Sequence, residues 1–194
     1  MKAFEFVPEG MSGCSVKAWI HDYEGIAGIT QRSYPAVIVC PGGGYSHVSA
    51  RESEPIAIEY YRAGYNTFIL TYTVGEEVKG FTPLKQLAAT IAQVRANADA
   101  WVTRPDQIAV CGFSAGGHLA GSIGTMWHRK EIYDAIDMPF GYNKPTGMML
   151  IYPVISYKYH PYSYFLYMIQ LYYTYLSPKY IVSRVQKNVH QKLY

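Results

Sequence analysis

Ile108-Ala109-Val110-Cys111-Gly112-Phe113-Ser114-Ala115-Gly116-Gly117-His118-Leu119-Ala120 decides how the rest of the chain is read. A short apolar run ends in Gly-x-Ser-x-Gly, and small and apolar residues at helical spacing follow at once. That order suits a strand, a sharp turn and a helix, with the turn lifting one serine hydroxyl clear of a sheet. Gly112 and Gly116 flank the serine, where the backbone is crowded and a Cβ would collide with a neighbouring element. A helix starting at Ala115 points its free N–H groups, and the positive end of its dipole, at whatever reacts with Ser114. Gly-x-Ser-x-Gly also occurs in turns that merely need glycine. The strand before it and the helix after it favour a nucleophile elbow.

Working back toward the N-terminus, Pro35-Ala36-Val37-Ile38-Val39-Cys40 is a continuous apolar run, the mark of a strand covered on both faces. It stops at Pro41-Gly42-Gly43-Gly44-Tyr45. A dinucleotide fingerprint is not satisfied here, because the third glycine position is His47. Two readings remain, a plain tight turn and an oxyanion loop whose backbone N–H groups converge on a developing negative charge. With a reactive serine elsewhere in the chain, the oxyanion loop is the better reading.

The other segments alternate in type. Ser15 to Tyr23 reads as a strand, and Gly25, Gly28 and Thr30-Gln31-Arg32-Ser33 as a turn. Ser53 is placed to cap a helix with Pro55 in its first turn and Gly64 at its end. Tyr65 to Val74 reads as a strand. Thr82-Pro83 opens a helix whose Leu84, Leu87, Ala88, Ile91, Val94, Ala98 and Trp101 form one face. Arg104-Pro105-Asp106 reads as a turn into the next strand, and Met148 to Val154 as a further strand. Strands alternating with helices predict an α/β fold with a mostly parallel sheet.

Composition narrows the class. The 194 residues are 49% apolar and 16% charged, with a formal charge of +3, which predicts a globular protein with no case for nucleic acid as a partner. Cys14, Cys40 and Cys111 are far apart and contain no CxxC, so neither a disulfide framework nor a zinc site is expected. There is no HExxH and no carboxylate cluster, so no metal or other cofactor is expected. Residues 1–6 lack the apolar core of a signal peptide, and no run approaches the ~20 apolar residues of a membrane span. A cytoplasmic setting is the expectation. The oligomeric state is left open.

Residues 33–155 closely resemble the small acyl-esterases of the α/β-hydrolase superfamily, the group of xylan or acetyl esterases and feruloyl-esterase-like domains. The resemblance is carried by Val37 to Tyr45, by Ser49-Ala50-Arg51-Glu52-Ser53-Glu54-Pro55, by Gly64-Tyr65-Asn66, by Ile108 to Ala120 and by Tyr152-Pro153-Val154-Ile155. It implies an α/β-hydrolase fold, Ser114 as nucleophile, and the backbone N–H groups of Gly43, Gly44 and Ala115 as the oxyanion hole. It also implies small-molecule or carbohydrate esters, often acetyl groups on sugars, as substrates.

In that superfamily the triad acid and histidine follow the serine on loops after two later strands. Beyond Ile155 no such pattern is found, so triad acid and base are unassigned and the C-terminal strands that would carry them are expected to be missing. Ser156 to Tyr194 holds no Gly, Ala, Asp or Glu, although ordinary usage puts roughly seven acidic residues and glycines in such a stretch. It contains ten of the 20 tyrosines and five Lys or Arg, whereas residues 1–155 carry a net −2. The division expected is therefore an incomplete, truncated hydrolase domain over residues 1–155 and an atypical Tyr-rich basic tail over 156–194, out of frame or unstructured. A competing reading makes Tyr162 to Leu176 an aromatic amphipathic helix on a membrane or partner.

Of the histidines, His21 reads as surface, His47 as a solvated loop residue, and His118 as packed or bonded locally one turn into the elbow helix. His160 and His190 alone stand in triad order, without supporting neighbours. Asp134 and Asp137 come too early for the acid. Arg51, Glu52 and Glu54 read as a solvated charge cluster rather than a brace. Three functions stay open: a serine carboxylic-ester hydrolase, a serine peptidase on the same fold, and a catalytically inactive remnant or binding scaffold.

Overall fold

The computed structural model describes residues 1–22 and 33–155. Tyr23, most of the expected turn over 25–33, and the whole of 156–194, including Tyr162–Leu176, His160 and His190, lie outside the described residues. Six strands form one sheet: β1 (Lys2–Phe6), β2 (Ser15–Ile20), β3 (Tyr34–Cys40), β4 (Asn66–Thr71), β5 (Thr103–Phe113) and β6 (Gly147–Ile151). Their order across the sheet is β1-β2-β4-β3-β5-β6. The β1/β2 and β2/β4 pairs are antiparallel, and β4/β3, β3/β5 and β5/β6 are parallel. The connections between successive parallel strands carry α1 (Glu54–Arg62), α2 (Thr82–Ala96) and α3 (Ala115–Met126), with a short α4 (Lys130–Tyr133) before β6. The expected α/β architecture is found.

Helices cover both faces, and β6 shows how. Tyr60 of α1 sends its hydroxyl 3.2 Å from the sulfur of Met149. The next residue, Leu150, and the preceding one, Met148, meet Gly121 and Gly124 of α3 instead. Successive side chains of a strand point to opposite faces, so α1 and α3 lie on opposite sides of the sheet. The same alternation runs through β3, where Val37 and Val39 join Ala57, Ile69, Cys111 and Phe113 on the α1 side. Every residue from Ala36 to Cys40 is buried, as a strand covered on both faces requires.

Three local expectations are corrected. Arg104-Pro105-Asp106 is not a turn but belongs to β5, at a register irregularity between Tyr34 and Ala36 where a proline loses no ladder bond. The α2 helix stops at Ala96, and Trp101 leaves its face to pack on Phe4, Phe6 and Phe68. That contact accounts for β1, an edge strand whose Phe4 and Phe6 alternate with exposed Ala3 and Glu5, too short a pattern to read from sequence. Ser53 does not cap α1; its hydroxyl donates to the Ser49 carbonyl at 2.8 Å, and Pro55 alone marks the first turn.

Candidate active site

Ser114 sits between β5 and α3 with φ 49° and ψ −112°, in a region of backbone space that a non-glycine residue rarely occupies. Such a conformation costs on the order of 1–3 kcal/mol and persists only where neighbours over-determine it. Three backbone bonds do so. The Ser114 N–H donates to the Ile151 carbonyl at 3.1 Å, and its carbonyl accepts from His118 at 3.0 Å and from Val154 at 3.2 Å. Close approach does the rest. A Cβ on Gly112 would lie 2.1 Å from the Gly116 carbonyl oxygen, and one on Gly116 would lie 2.0 Å from that of Cys40. Ser114 is thus at the mouth of α3, not inside it, and is half-buried. Ala115, the first residue of α3, has an N–H with no partner four residues back in the helix.

The Gly42-Gly43-Gly44 loop lies against this turn. A Cβ on Gly42 would be 3.0 Å from the Ser114 Cβ. Gly43, Gly44 and Tyr45 follow one another at φ 127°, 62° and 58°. A side chain at Gly43 would meet the His47 carbonyl oxygen at 2.0 Å, so glycine is required there. The loop closes on itself as the Gly43 carbonyl accepts from the Ser46 and His47 amides. Among the described residues, the N–H groups of Gly43 and Gly44 donate to no protein acceptor. Ser114 and Ala115 adjoin where α3 begins, and the loop that carries Gly43 and Gly44 approaches Ser114 through Gly42.

Four side-chain and backbone contacts hold the loop from outside. The Tyr72 hydroxyl donates to the Pro41 carbonyl at 2.6 Å, and the Gly75 N–H to the Tyr45 carbonyl at 2.7 Å. The Tyr45 hydroxyl is 2.8 Å from Nδ1 of His118. Glu52 accepts from the Gly42 N–H at 2.7 Å through Oε2 and from the Tyr152 hydroxyl through Oε1. The solvated reading of Glu52 is thereby corrected; it is a brace. Bonding to Glu52, then loss of hydration, push the Tyr152 hydroxyl up to about 12, so it remains a proton donor.

The histidines divide differently from expectation. His118 is bonded across the fold rather than locally, and burial depresses its pKa to about 4, leaving it neutral. His21 is half-buried rather than fully at the surface, its ring stacked on Tyr34 and Tyr61 at ring distances of 4.3 and 4.2 Å, with its pKa lowered chiefly by burial. His47 is exposed, with Nδ1 3.0 Å from the Ser46 hydroxyl. None of these bonds the Ser114 hydroxyl. Asp134, bridged to Lys130, and Asp137 border a separate hollow with Glu9 and Gln93. Among the described residues no three His, Cys, Asp or Glu side chains are grouped to hold a metal ion. No helix among them is long and apolar enough to cross a membrane. A groove of about 810 Å³ over β2, β4 and α1, lined by Trp19, Lys17 and Glu54, contains none of the four site residues.

Residues 27–155 match the BD-FAE family over two-thirds of the chain. The chain belongs to the BD-FAE family. This member is 32% identical over 127 residues to endo-1,4-beta-xylanase B of Butyrivibrio fibrisolvens, covering 62% of this chain and 19% of that one. It is 30% identical over 122 residues to the acetylxylan esterase of Xylanibacter ruminicola, covering 62% and 23%. A carboxylesterase from Lactobacillus plantarum superposes with a TM-score of 0.75 at 27% identity, over 87% of this chain and 63% of that one. The fold is that of the α/β-hydrolases, within their esterase group. This BD-FAE chain spans about a fifth of the length of the curated relatives it matches.

Proposed function

We propose that this BD-FAE chain carries the serine and oxyanion half of a carboxylic-ester hydrolase site. In this reading Ser114 attacks the acyl carbon, its proton leaves to a base, and the carbonyl oxygen becomes an oxyanion facing the N–H groups of Gly43, Gly44 and Ala115. The alcohol departs with a proton, and water then releases the acid. The observation that carries the reading is the strained Ser114 backbone at the start of α3, with the glycine loop so close at Gly42 that a Cβ there would lie 3.0 Å from the Ser114 Cβ. Unpartnered amides in a preorganised loop suit a charge that develops only during reaction. Small acyl esters, acetyl groups on sugars among them, are the proposed substrates, supported by the similarity to an acetylxylan esterase. We assign the hydrolase unit to residues 1–155. Three free cysteines, two of them buried, support a reducing, cytoplasmic compartment.

One observation favours a second reading. Among the described residues no side chain, the histidines His21, His47, His118 and His128 included, is hydrogen-bonded to the Ser114 hydroxyl. The alternative is a scaffold that binds without turnover. Hydrolysis of p-nitrophenyl acetate by the full chain and by Ser114→Ala separates the two. Turnover lost in the variant supports the hydrolase; equal release from both proteins supports the scaffold.

A further inference from the structure

We infer that Glu52 is a positioning residue that fixes the distance between the Ser114 turn and the glycine loop by clamping Gly42 to Tyr152; its effect on catalysis rests on the ester-hydrolase reading. The contacts close a ring. Ser114 is tied by its N–H to the Ile151 carbonyl and by its carbonyl to the Val154 N–H, so the segment 151–154 moves with it. Tyr152 lies in that segment, packs its ring on Phe113 at 5.9 Å, and reaches Oε1 of Glu52. The other oxygen of Glu52 holds the Gly42 N–H, and Gly42 in turn backs onto the Ser114 side chain. The carboxylate thus joins two segments a hundred residues apart in sequence, at the place where their spacing matters.

Two further features agree. Tyr152 has φ 36°, a strained conformation for a tyrosine, maintained where its hydroxyl bonds Glu52. Both donors point at Glu52, so the position asks for two acceptor atoms, which a carboxylate supplies and an amide supplies only once. Glutamine still serves the clamp in part, because its oxygen can take the Gly42 N–H while its NH₂ donates to the tyrosine oxygen. Alanine leaves the Gly42 N–H without its partner beside the site.

The test compares Glu52→Ala, Glu52→Gln and Tyr152→Phe in the full chain by two measurements. Amide hydrogen exchange is read over residues 41–49, where the Gly42, Ser46, His47 and Ser49 amides are bonded, with Val37–Val39 of β3 as internal reference. Ser114-dependent cleavage of p-nitrophenyl acetate is read as separate kcat and KM. Glu52→Ala is expected to exchange faster over 41–49 alone and to lose about tenfold or more in kcat, with KM within about twofold. Glu52→Gln should retain most of both, and Tyr152→Phe should fall between. Unchanged exchange over 41–49, or a loss seen only in KM, overturns the inference. A rise that reaches β3 also overturns it, by making Glu52 a support of the whole fold. If the wild-type chain shows no Ser114-dependent cleavage, the ester-hydrolase reading fails, while exchange still decides whether the clamp exists.

Discussion

The Tyr45 hydroxyl lies 2.8 Å from Nδ1 of His118, joining the residue after Gly44 to the first turns of α3. The contact is buried, and the imidazole is held neutral there because charging it would bury an ion. It couples the shape of the glycine loop to the helix that begins at the reactive serine.

Acid should therefore weaken the fold through His118. Its pKa falls from 6.5 to about 4 on folding, so the unfolded chain binds the extra proton first. Stability is full above pH 6.5, declines as pH falls toward 4, and levels off below that, with a total loss of about 3 kcal/mol. His118→Gln, which keeps a polar partner for Tyr45 without titrating, should lack this share of the loss. Urea unfolding of both proteins between pH 7 and pH 4 checks it, and parallel pH profiles would refute it.

Replacing Ser114 with glycine should stabilise the chain while abolishing any serine chemistry. Glycine reaches φ 49° without the Cβ conflict, which outweighs its greater freedom when unfolded. Ser114→Gly is expected to be about 1 kcal/mol more stable than Ser114→Ala in denaturant titration. A glycine variant no more stable than the alanine one would mean the turn stores no strain.

Two alanine substitutions in α3 should act oppositely. Gly116→Ala drives a Cβ to 2.0 Å from the Cys40 carbonyl oxygen, a backbone clash relieved only by moving β3 or α3, and should destabilise by about 3 kcal/mol or more. Gly121→Ala meets nothing nearer than Leu150 at 3.6 Å and should gain roughly 0.5–1 kcal/mol from helix propensity. Thermal melts of the pair read the difference directly.

These contrasts show which parts of the molecule were legible in sequence. The Ser114 turn and the Gly42–Gly44 loop were, because their requirement for small residues is local and written in the glycines themselves. The continuous apolar runs of β3 and β5 were legible for the same reason. Glu52 was not: a carboxylate in a polar stretch looks solvated until Gly42 and Tyr152 are brought to it by the sheet. Neither were the long-range partner of His118 and the stacking of His21, since aromatic neighbours at 4 Å come from packing rather than periodicity. The misread Arg104-Pro105-Asp106 follows from taking proline as a stop, when a strand irregularity accommodates it.

Removing the Tyr72 hydroxyl isolates the support on the far side of the loop. Tyr72→Phe leaves the Pro41 carbonyl buried without its 2.6 Å donor and should cost about 1–3 kcal/mol. Equilibrium unfolding gives the number, and a change below a few tenths of a kcal/mol would show that the carbonyl finds another donor.

Covalent trapping tests the central claim most directly. A fluorophosphonate ester reacts with a serine oxygen and leaves a tetrahedral phosphoryl group whose oxygen sits where an oxyanion would form. Intact-mass and peptide mapping of the treated chain should show one adduct, on Ser114, and none in Ser114→Ala. Adducts spread over other residues, or equal labelling of the alanine variant, would contradict the account.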